Sequence, residues 1–419
     1  MSAARLAAAT LLATTALASP LAAQSAAEIS MLRAELADTR ERLDALEQNE
    51  TNLETDRSGV TLTFGGRVNQ MVLFASQGDR DQTFVADNDA SASRLEFLAE
   101  SVRGDTTAGL EIVMSVEVNS SDSIDFGSTF GGADEDGPAG DFRQAHFFVE
   151  NPNFGYISVG QGDTAAEDTA HVDFSGTDFA GSGSDVDDIA GGLHFYDDDG
   201  NDLAELDDFF VMQDGSRQLR VYYETPSFNG FSGKISFANS DSGSDGDDDL
   251  NGSGVQTAVG LAYGAEMGFG EVAGELSWRR DRADDDVDND FLVGSASVLF
   301  NSGFNLTAAA STGEIDGSSE DPTAYFVKAG YIANLTDMGE TRFSVDFFRG
   351  HNNADFAGPS GDLPEATSYG VFAVQAISDL NTELYVGARV YELDDVYIDD
   401  DRSEVDDMTA VLAGARIRF

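Results

Sequence analysis

From Val60 to the last residue, apolar and polar positions alternate with a period of two, the pattern of a strand with one greasy face rather than of a helix. The stretch Asp407 to Phe419 shows it most clearly. Val411, Ala413, Ala415, Ile417 and Phe419 form one face, and Ala410, Leu412, Gly414, Arg416 and Arg418 the other. In 107–118, Leu110, Ile112, Met114 and Val116 oppose Glu111 and Glu117; in 270–280, Val272, Leu276 and Trp278 oppose Glu271, Glu275 and Arg279. An arginine held at the middle of a bilayer costs about 2–4 kcal/mol, so a face that carries such charges must meet water. Strands that are apolar on one side and charged on the other suit a closed barrel with lipid outside and water inside.

The alternation divides into sixteen strands: 61–75, 92–103, 107–118, 141–150, 154–161, 217–225, 231–239, 254–264, 270–280, 289–300, 303–312, 322–333, 340–350, 368–377, 381–391 and 407–419. Most approach the ten or so residues that a tilted strand needs to cross a bilayer. Their connections alternate in length. Short ones such as Gly104 to Thr106, Asn151 to Asn153 and Asn301 to Ser302 interleave with long acidic ones. Short turns at one rim and long loops at the other make an antiparallel up-and-down meander. The expected fold class is therefore all-β, a transmembrane antiparallel barrel of 16 strands. A further hairpin from Ile189–Tyr196 and Asp207–Met212 would raise the number to 18.

The chain before Val60 reads differently. Residues 1–23 have a basic start at Arg5, an apolar run from Leu6 to Leu17 and small residues after it, the composition of an export signal. In 24–57, Ile29, Leu32, Leu36, Leu43, Leu46 and Leu53 follow a heptad spacing, which predicts a short coiled coil that self-associates or an amphipathic helix packed on its own domain. An even strand number puts it at the short-turn rim, in the periplasm. The domains expected are thus 1–23 signal, 24–57 coiled coil and 58–419 barrel.

Composition narrows the functions. With 77 acidic against 23 basic residues the net charge is −54, which makes nucleic acid a poor partner. There is no cysteine, and the four histidines, His146, His171, His194 and His351, have no zinc-binding spacing. No phosphate loop or other enzyme constellation is present, so no enzymatic activity and no cofactor are expected. Acidic runs at Asp245 to Asp249 and Asp399 to Asp401 could bind Ca²⁺ weakly through their carboxylate oxygens.

The most informative piece is the insert 162–216: 55 residues with sixteen Asp or Glu and no Lys or Arg. So long a connection in a compact domain is either functional or structured in itself. Folded inward, it would narrow the aqueous lumen that sixteen strands leave open. Arg94, Arg143 and Arg220 stand near the starts of the second, fourth and sixth strands, at similar depth, and Arg67 adds a fourth cation. Acid on one side of a constriction and arginine on the other would set up a transverse field. Arg217 lies on the other face of its strand and is the weaker candidate.

The chain resembles the Gram-negative general porins, of the alphaproteobacterial type, over about residues 60–419. The resemblance is carried by Leu62-Thr63-Phe64-Gly65-Gly66-Arg67-Val68-Asn69, Ser93-Arg94-Leu95-Glu96-Phe97, Phe154-Gly155-Tyr156-Ile157-Ser158-Val159-Gly160-Gln161 and Thr225-Pro226-Ser227-Phe228-Asn229-Gly230-Phe231. It implies a homotrimer in the bacterial outer membrane, in contact with lipid and lipopolysaccharide. It also implies a third loop folded into each pore, with its acids facing arginines at the starts of strands two, four and six, which match Arg94, Arg143 and Arg220. Asp163, Glu167, Asp168, Asp173 and Asp178 are the loop acids expected there by position, and Phe419 resembles the signal read by the barrel-assembly machinery. The function expected is passive diffusion of ions and small hydrophilic solutes, with cations preferred. The alternatives are a substrate-selective porin and a secreted, Ca²⁺-binding structural or adhesive β-protein.

Overall fold

A computed structural model describes residues 53–55 and 59–419, apart from 128–141, 198–199, 241–253, 283–287, 317–319, 353–355, 359–362 and 399–400. The expected export signal and most of the expected coiled coil lie outside the described residues, as does the acidic run 245–249.

Sixteen strands go round the barrel. The first eight are β1 (Val60–Gln77), β2 (Arg80–Asp87 and Arg94–Arg103), β3 (Thr106–Ser115), β4 (Phe142–Asn151), β5 (Gly155–Asp163), β6 (Arg217–Glu224), β7 (Phe231–Ser240) and β8 (Gly254–Met267). They are followed by β9 (Gly270–Arg282), β10 (Asp288–Phe300), β11 (Phe304–Glu314), β12 (Thr323–Thr336), β13 (Gly339–His351), β14 (Glu365–Ile377), β15 (Thr382–Asp394) and β16 (Met408–Arg418). Each pairs antiparallel with the next. β16 also pairs with β1, from Arg67 opposite Arg418 to Gln77 opposite Met408, and this closes the sheet. Closure leaves no strand edge to be satisfied in lipid. The sheet has eighteen segments because β2 is in two pieces and Leu53–Thr55 adds a short strip along the start of β1.

Two expectations are corrected. The first connection is not long: β1 continues to Gln77, turns at Gly78, whose φ is +53°, and returns along Arg80–Asp87. The eighteen-stranded alternative also fails, because Ile189, Leu193 and Phe195 are buried inside the lumen rather than placed in the wall. That part of the insert instead forms a separate two-stranded piece, His194–Tyr196 with Asp202–Glu205.

The alternation sorts as the period requires. Val72, Phe74, Val345, Val371, Val386 and Val411 face outward and are exposed, while Leu73, Phe348, Phe372 and Leu412 point inward and are buried. Outward-facing aromatics mark both rims. Tyr325, Phe347 and Tyr369 adjoin at centroid distances of 5.9 and 5.3 Å near the long-loop rim, and Phe231 with Tyr263 at 4.5 Å near the short-turn rim. Such girdles belong at the two membrane interfaces. At the seam, Phe419 exchanges backbone hydrogen bonds with Gly66, its N–H donating at 3.1 Å and its carbonyl accepting at 2.9 Å. A Cβ at Gly66 would come within 2.9 Å of the Phe419 ring, so glycine is what allows that ring to lie there.

Candidate functional site

The insert 162–216, loop 3, enters the barrel and lies along the opposite wall. A loop inside a barrel must find partners for its backbone groups, and hydroxyls on the inward face of the strands supply them. Ala165 N–H donates to Ser236 Oγ at 2.8 Å, Phe174 N–H to Ser297 Oγ at 3.1 Å, and Gln213 N–H to Ser311 Oγ at 3.2 Å. Further along, Thr177 donates to Ser344 at 2.8 Å and Ser182 to Asp346 at 2.5 Å. Arg389 Nη2 donates to the Gly181 carbonyl at 2.9 Å and the Tyr391 hydroxyl to that of Val186 at 2.6 Å. The loop also brings a core of its own: Phe195 stacks on Phe210, which packs against Phe348 and Tyr391 of the wall.

Two buried ion pairs hold this side. Arg389 and Asp346 meet at 2.8 Å with neither side chain exposed, and Lys328 is closed against Asp173, with Thr307 donating to that carboxylate at 3.0 Å. Asp173 is therefore turned to the wall and away from the arginines expected to face it.

Those arginines line the β1–β6 side. Arg67 Nε donates to the Ala92 carbonyl at 3.2 Å, and Arg94 is paired at 2.7 Å with Glu96 on its own strand. In β4 the ladder shifts register between Val113 and Met114 of β3, which stand opposite Gln144 and Phe142, so Arg143 is the surplus residue of a bulge. A bulge re-aims side chains, and this one reconciles Arg143 with Gln144 and His146, whose alternation conflicts with it in the sequence. Arg143 comes within electrostatic reach of Arg94, Arg217, Asp89 and Glu117.

Arg220 and Arg217 exchange the parts expected of them. Arg220 is 6 % exposed, its guanidinium donating to the carbonyls of Asp163 at 2.8 Å and Gly160 at 3.2 Å, so it braces the base of the loop. Arg217 instead reaches the acids, meeting Asp163 at 3.2 Å and Glu167 at 2.9 Å. Asp163 also accepts from Gln144 at 2.9 Å. Asp168, in the left-handed region at φ 58°, and Asp178, on the turn Asp178–Ala180, are both exposed.

The charge environment of loop 3 is strongly uneven. Burial, followed by the charge of Asp168, pushes Glu167 well above the usual carboxylate range against the pull of Arg217. Burial also raises Asp187 and Asp188 well above that range, their neighbouring carboxylates adding to it. His171, 2.9 Å from Asp185 and 3.8 Å from Asp214, is held well above its ordinary value: burial opposes its charge, but the carboxylates outweigh that. Asp214 is pushed up to about 7, chiefly by burial.

Several residues of the site escaped the sequence reading. Asp89, Asp122, Asp187 and Asp188, from three different segments, lie within electrostatic reach of one another. Asn69, Asn88, Tyr385 and Arg416 form a polar node between β1, β2, β15, β16 and loop 3. The polar run Asn88-Asp89-Ala90-Ser91 reads in the sequence as part of the connection before the second strand and so gave no signal for them. The histidines stay apart, and among the described residues no group of three or more His, Asp or Glu is arranged to hold a metal ion.

Solved structures of similar fold include a porin and an outer membrane channel. The anion-selective porin from Comamonas acidovorans matches with a TM-score of 0.54 at 16% identity, over 86% of this chain and 100% of its own. The outer membrane channel DcaP of Acinetobacter baumannii matches with 0.53 at 13%, over 87% and 99%, and Salmonella typhi OmpF, in complex with daunomycin, with 0.53 at 15%, over 88% and 100%. No curated protein sequence matches. The family model for Gram-negative porins matches residues 7–396. With a closed sixteen-stranded barrel, a lumen narrowed by its third loop and a family match over nearly the whole chain, the protein belongs to the Gram-negative porins, non-enzymatic channels of the bacterial outer membrane.

Proposed function

We propose that the chain forms a trimeric, water-filled pore for passive diffusion of ions and small hydrophilic solutes, with a preference for cations. The observation that carries this is the placement of loop 3 in the lumen, anchored to the β10–β16 wall and presenting acids toward the arginines of β1, β2, β4 and β6. In this reading Asp163, Glu167, Asp168 and Asp178 form the acidic side of the constriction. Arg67, Arg94, Arg143 and Arg217 form the basic side. Arg220 and Asp173 hold structure behind them. Cation preference follows from the excess of acid in the insert 162–216, with sixteen Asp or Glu and no Lys or Arg, because a lining of one sign concentrates the opposite ion.

Arg67 has Arg94, Arg416 and Arg143 around it, with Glu96 as the opposing charge, and this local excess favours a second reading, preference for anions. The sign of the reversal potential across planar bilayers in a salt gradient decides between them. A cation-favouring sign supports the first reading and an anion-favouring sign replaces it with the second. Trimers that dissociate on heating before gel electrophoresis are expected, and monomeric migration without heating would remove that part of the proposal.

A further inference from the structure

Six residues of β2, Asn88 to Ser93, cover a span in which β1 has only two, because Asp87 stands opposite Gln70 and Arg94 opposite Arg67. The surplus turns into the lumen as the short 3-10 turn Asp89–Ser91, with the Asn88 side chain accepting from Ala90 N–H at 3.1 Å. A gap in a barrel ladder orphans backbone amides that lipid cannot satisfy. Asp87, fully buried, fills it: its carboxylate accepts from the N–H groups of Val118 at 2.9 Å and Asn119 at 3.3 Å. It also accepts from the Ser93 hydroxyl and the Gln70 amide, both at 2.6 Å. The excursion is thus stapled at its root.

Its inner side meets loop 3. Asn69, buried on β1, donates from Nδ2 to the carbonyls of Asn88, Ser91 and Phe179, each at 3.3 Å, and accepts from the Tyr385 hydroxyl at 2.8 Å. Arg416 donates to Ser91 Oγ at 2.9 Å and lies 3.4 Å from the centre of the Phe179 ring. From the connection between β3 and β4, the Ser121 hydroxyl accepts from Asp89 N–H at 3.0 Å and donates to the Asp188 carbonyl at 2.5 Å. Only an amide side chain offers both the donors and the acceptor that the position of Asn69 requires.

We propose that the β2 excursion is a second constriction element, locked to loop 3 through Asn69, and that the two set the size limit of the pore as one unit. This rests on the reading of loop 3 as the constriction. Asn69 is a positioning residue: it touches no solute but joins two elements that approach the passage from different strands. With the lock in place, neither element moves without breaking buried hydrogen bonds of the other, so the opening is held to one width.

The test compares two variants with the wild type in planar bilayers and in liposome swelling with a graded series of sugars. In the first, Asn88 to Ser93 is replaced by Ala-Ser, restoring the two-residue register opposite Val68 and Asn69. The second is Asn69→Leu, which keeps the branched shape and removes the side-chain hydrogen bonds. The first is expected to raise single-channel conductance by about half or more and to admit larger sugars. The second should add open-channel noise with brief steps to higher conductance while the heat-modifiable trimer persists. If conductance, noise and size limit stay at wild-type values in both variants, or in Asn69→Leu where the first does not fold, the proposal is overturned. Trimming loop 3 between Thr169 and Ser184 serves as the separate arm. If that also leaves the size limit unchanged, the constriction reading fails; if it alone changes the limit, only the excursion's role fails.

Discussion

On the β10–β16 side of the lumen, Arg389 and Lys328 are sealed against Asp346 and Asp173 under loop 3, whereas on the β1–β6 side Arg67, Arg94 and Arg143 stay partly open to water. The residue types are the same and the surroundings are not. A paired, dry charge serves as an anchor, because removing either partner leaves the other buried and uncompensated. A charge that stays in contact with water keeps part of its field for what passes. Function on this scaffold is therefore read from how each charge is partnered rather than from how many charges there are.

The largest effect expected from breaking the comparison is on the anchored side. Arg389→Ala should cost about 3–5 kcal/mol by stranding Asp346, seen as a lower dissociation temperature of the trimer on gels and a noisier open channel. An unchanged dissociation temperature would show that this side is not holding the loop. On the wet side the outcomes reverse. Arg143→Ala should leave the dissociation temperature unchanged and move the reversal potential toward cations.

Arg217 and Arg220 sharpen the contrast within a single strand. Arg217→Gln should shift ion preference by freeing Asp163 and Glu167, while Arg220→Gln should affect mainly the loop base and leave the reversal potential near that of the wild type. Equal shifts in both would mean that the contacts do not assign their roles.

The smallest expected effect is with pH. Asp214, raised to about 7, gains its charge between pH 6 and 8, so cation preference should rise over that interval, and Asp214→Asn should flatten the rise. A carboxyl raised in the fold binds its proton more tightly there than when unfolded. Its contribution to stability therefore falls as pH climbs from about 4, the unfolded value, to about 7, and is level above that. Reversal potentials measured from pH 5 to pH 8 check the first part and trimer dissociation temperatures the second.

The strands were legible because lipid imposes a strict rule. A residue facing hydrocarbon must be apolar, a charged one must face water, and the period of two writes both onto the sequence, as in Val411 and Ile417 against Arg416 and Arg418. That the insert 162–216 has a role or a structure of its own was legible from its length, and its inward fold from the resemblance. The partners inside were not. Arg220 and Asp173 carry the expected charge in the expected segments, yet one braces backbone carbonyls and the other faces Lys328, 155 residues away. Arg143 alternates out of step with Gln144 and His146 until the bulge in β4 is seen, and the β2 excursion hides in a stretch that reads as an ordinary loop followed by a strand.

The sequence by itself determined a closed antiparallel barrel of sixteen or eighteen strands, which side of each strand meets lipid, and a long acidic insert after the fifth strand. Those features follow from neighbours in the chain and from the solvent on either face. Only the tertiary structure decided which charges are spent on anchoring and which remain in the passage, and that β2 leaves the wall to meet loop 3. Those outcomes depend on contacts across the lumen between residues far apart in the chain, where a one-residue bulge or a short detour redirects side chains without disturbing the alternation around it.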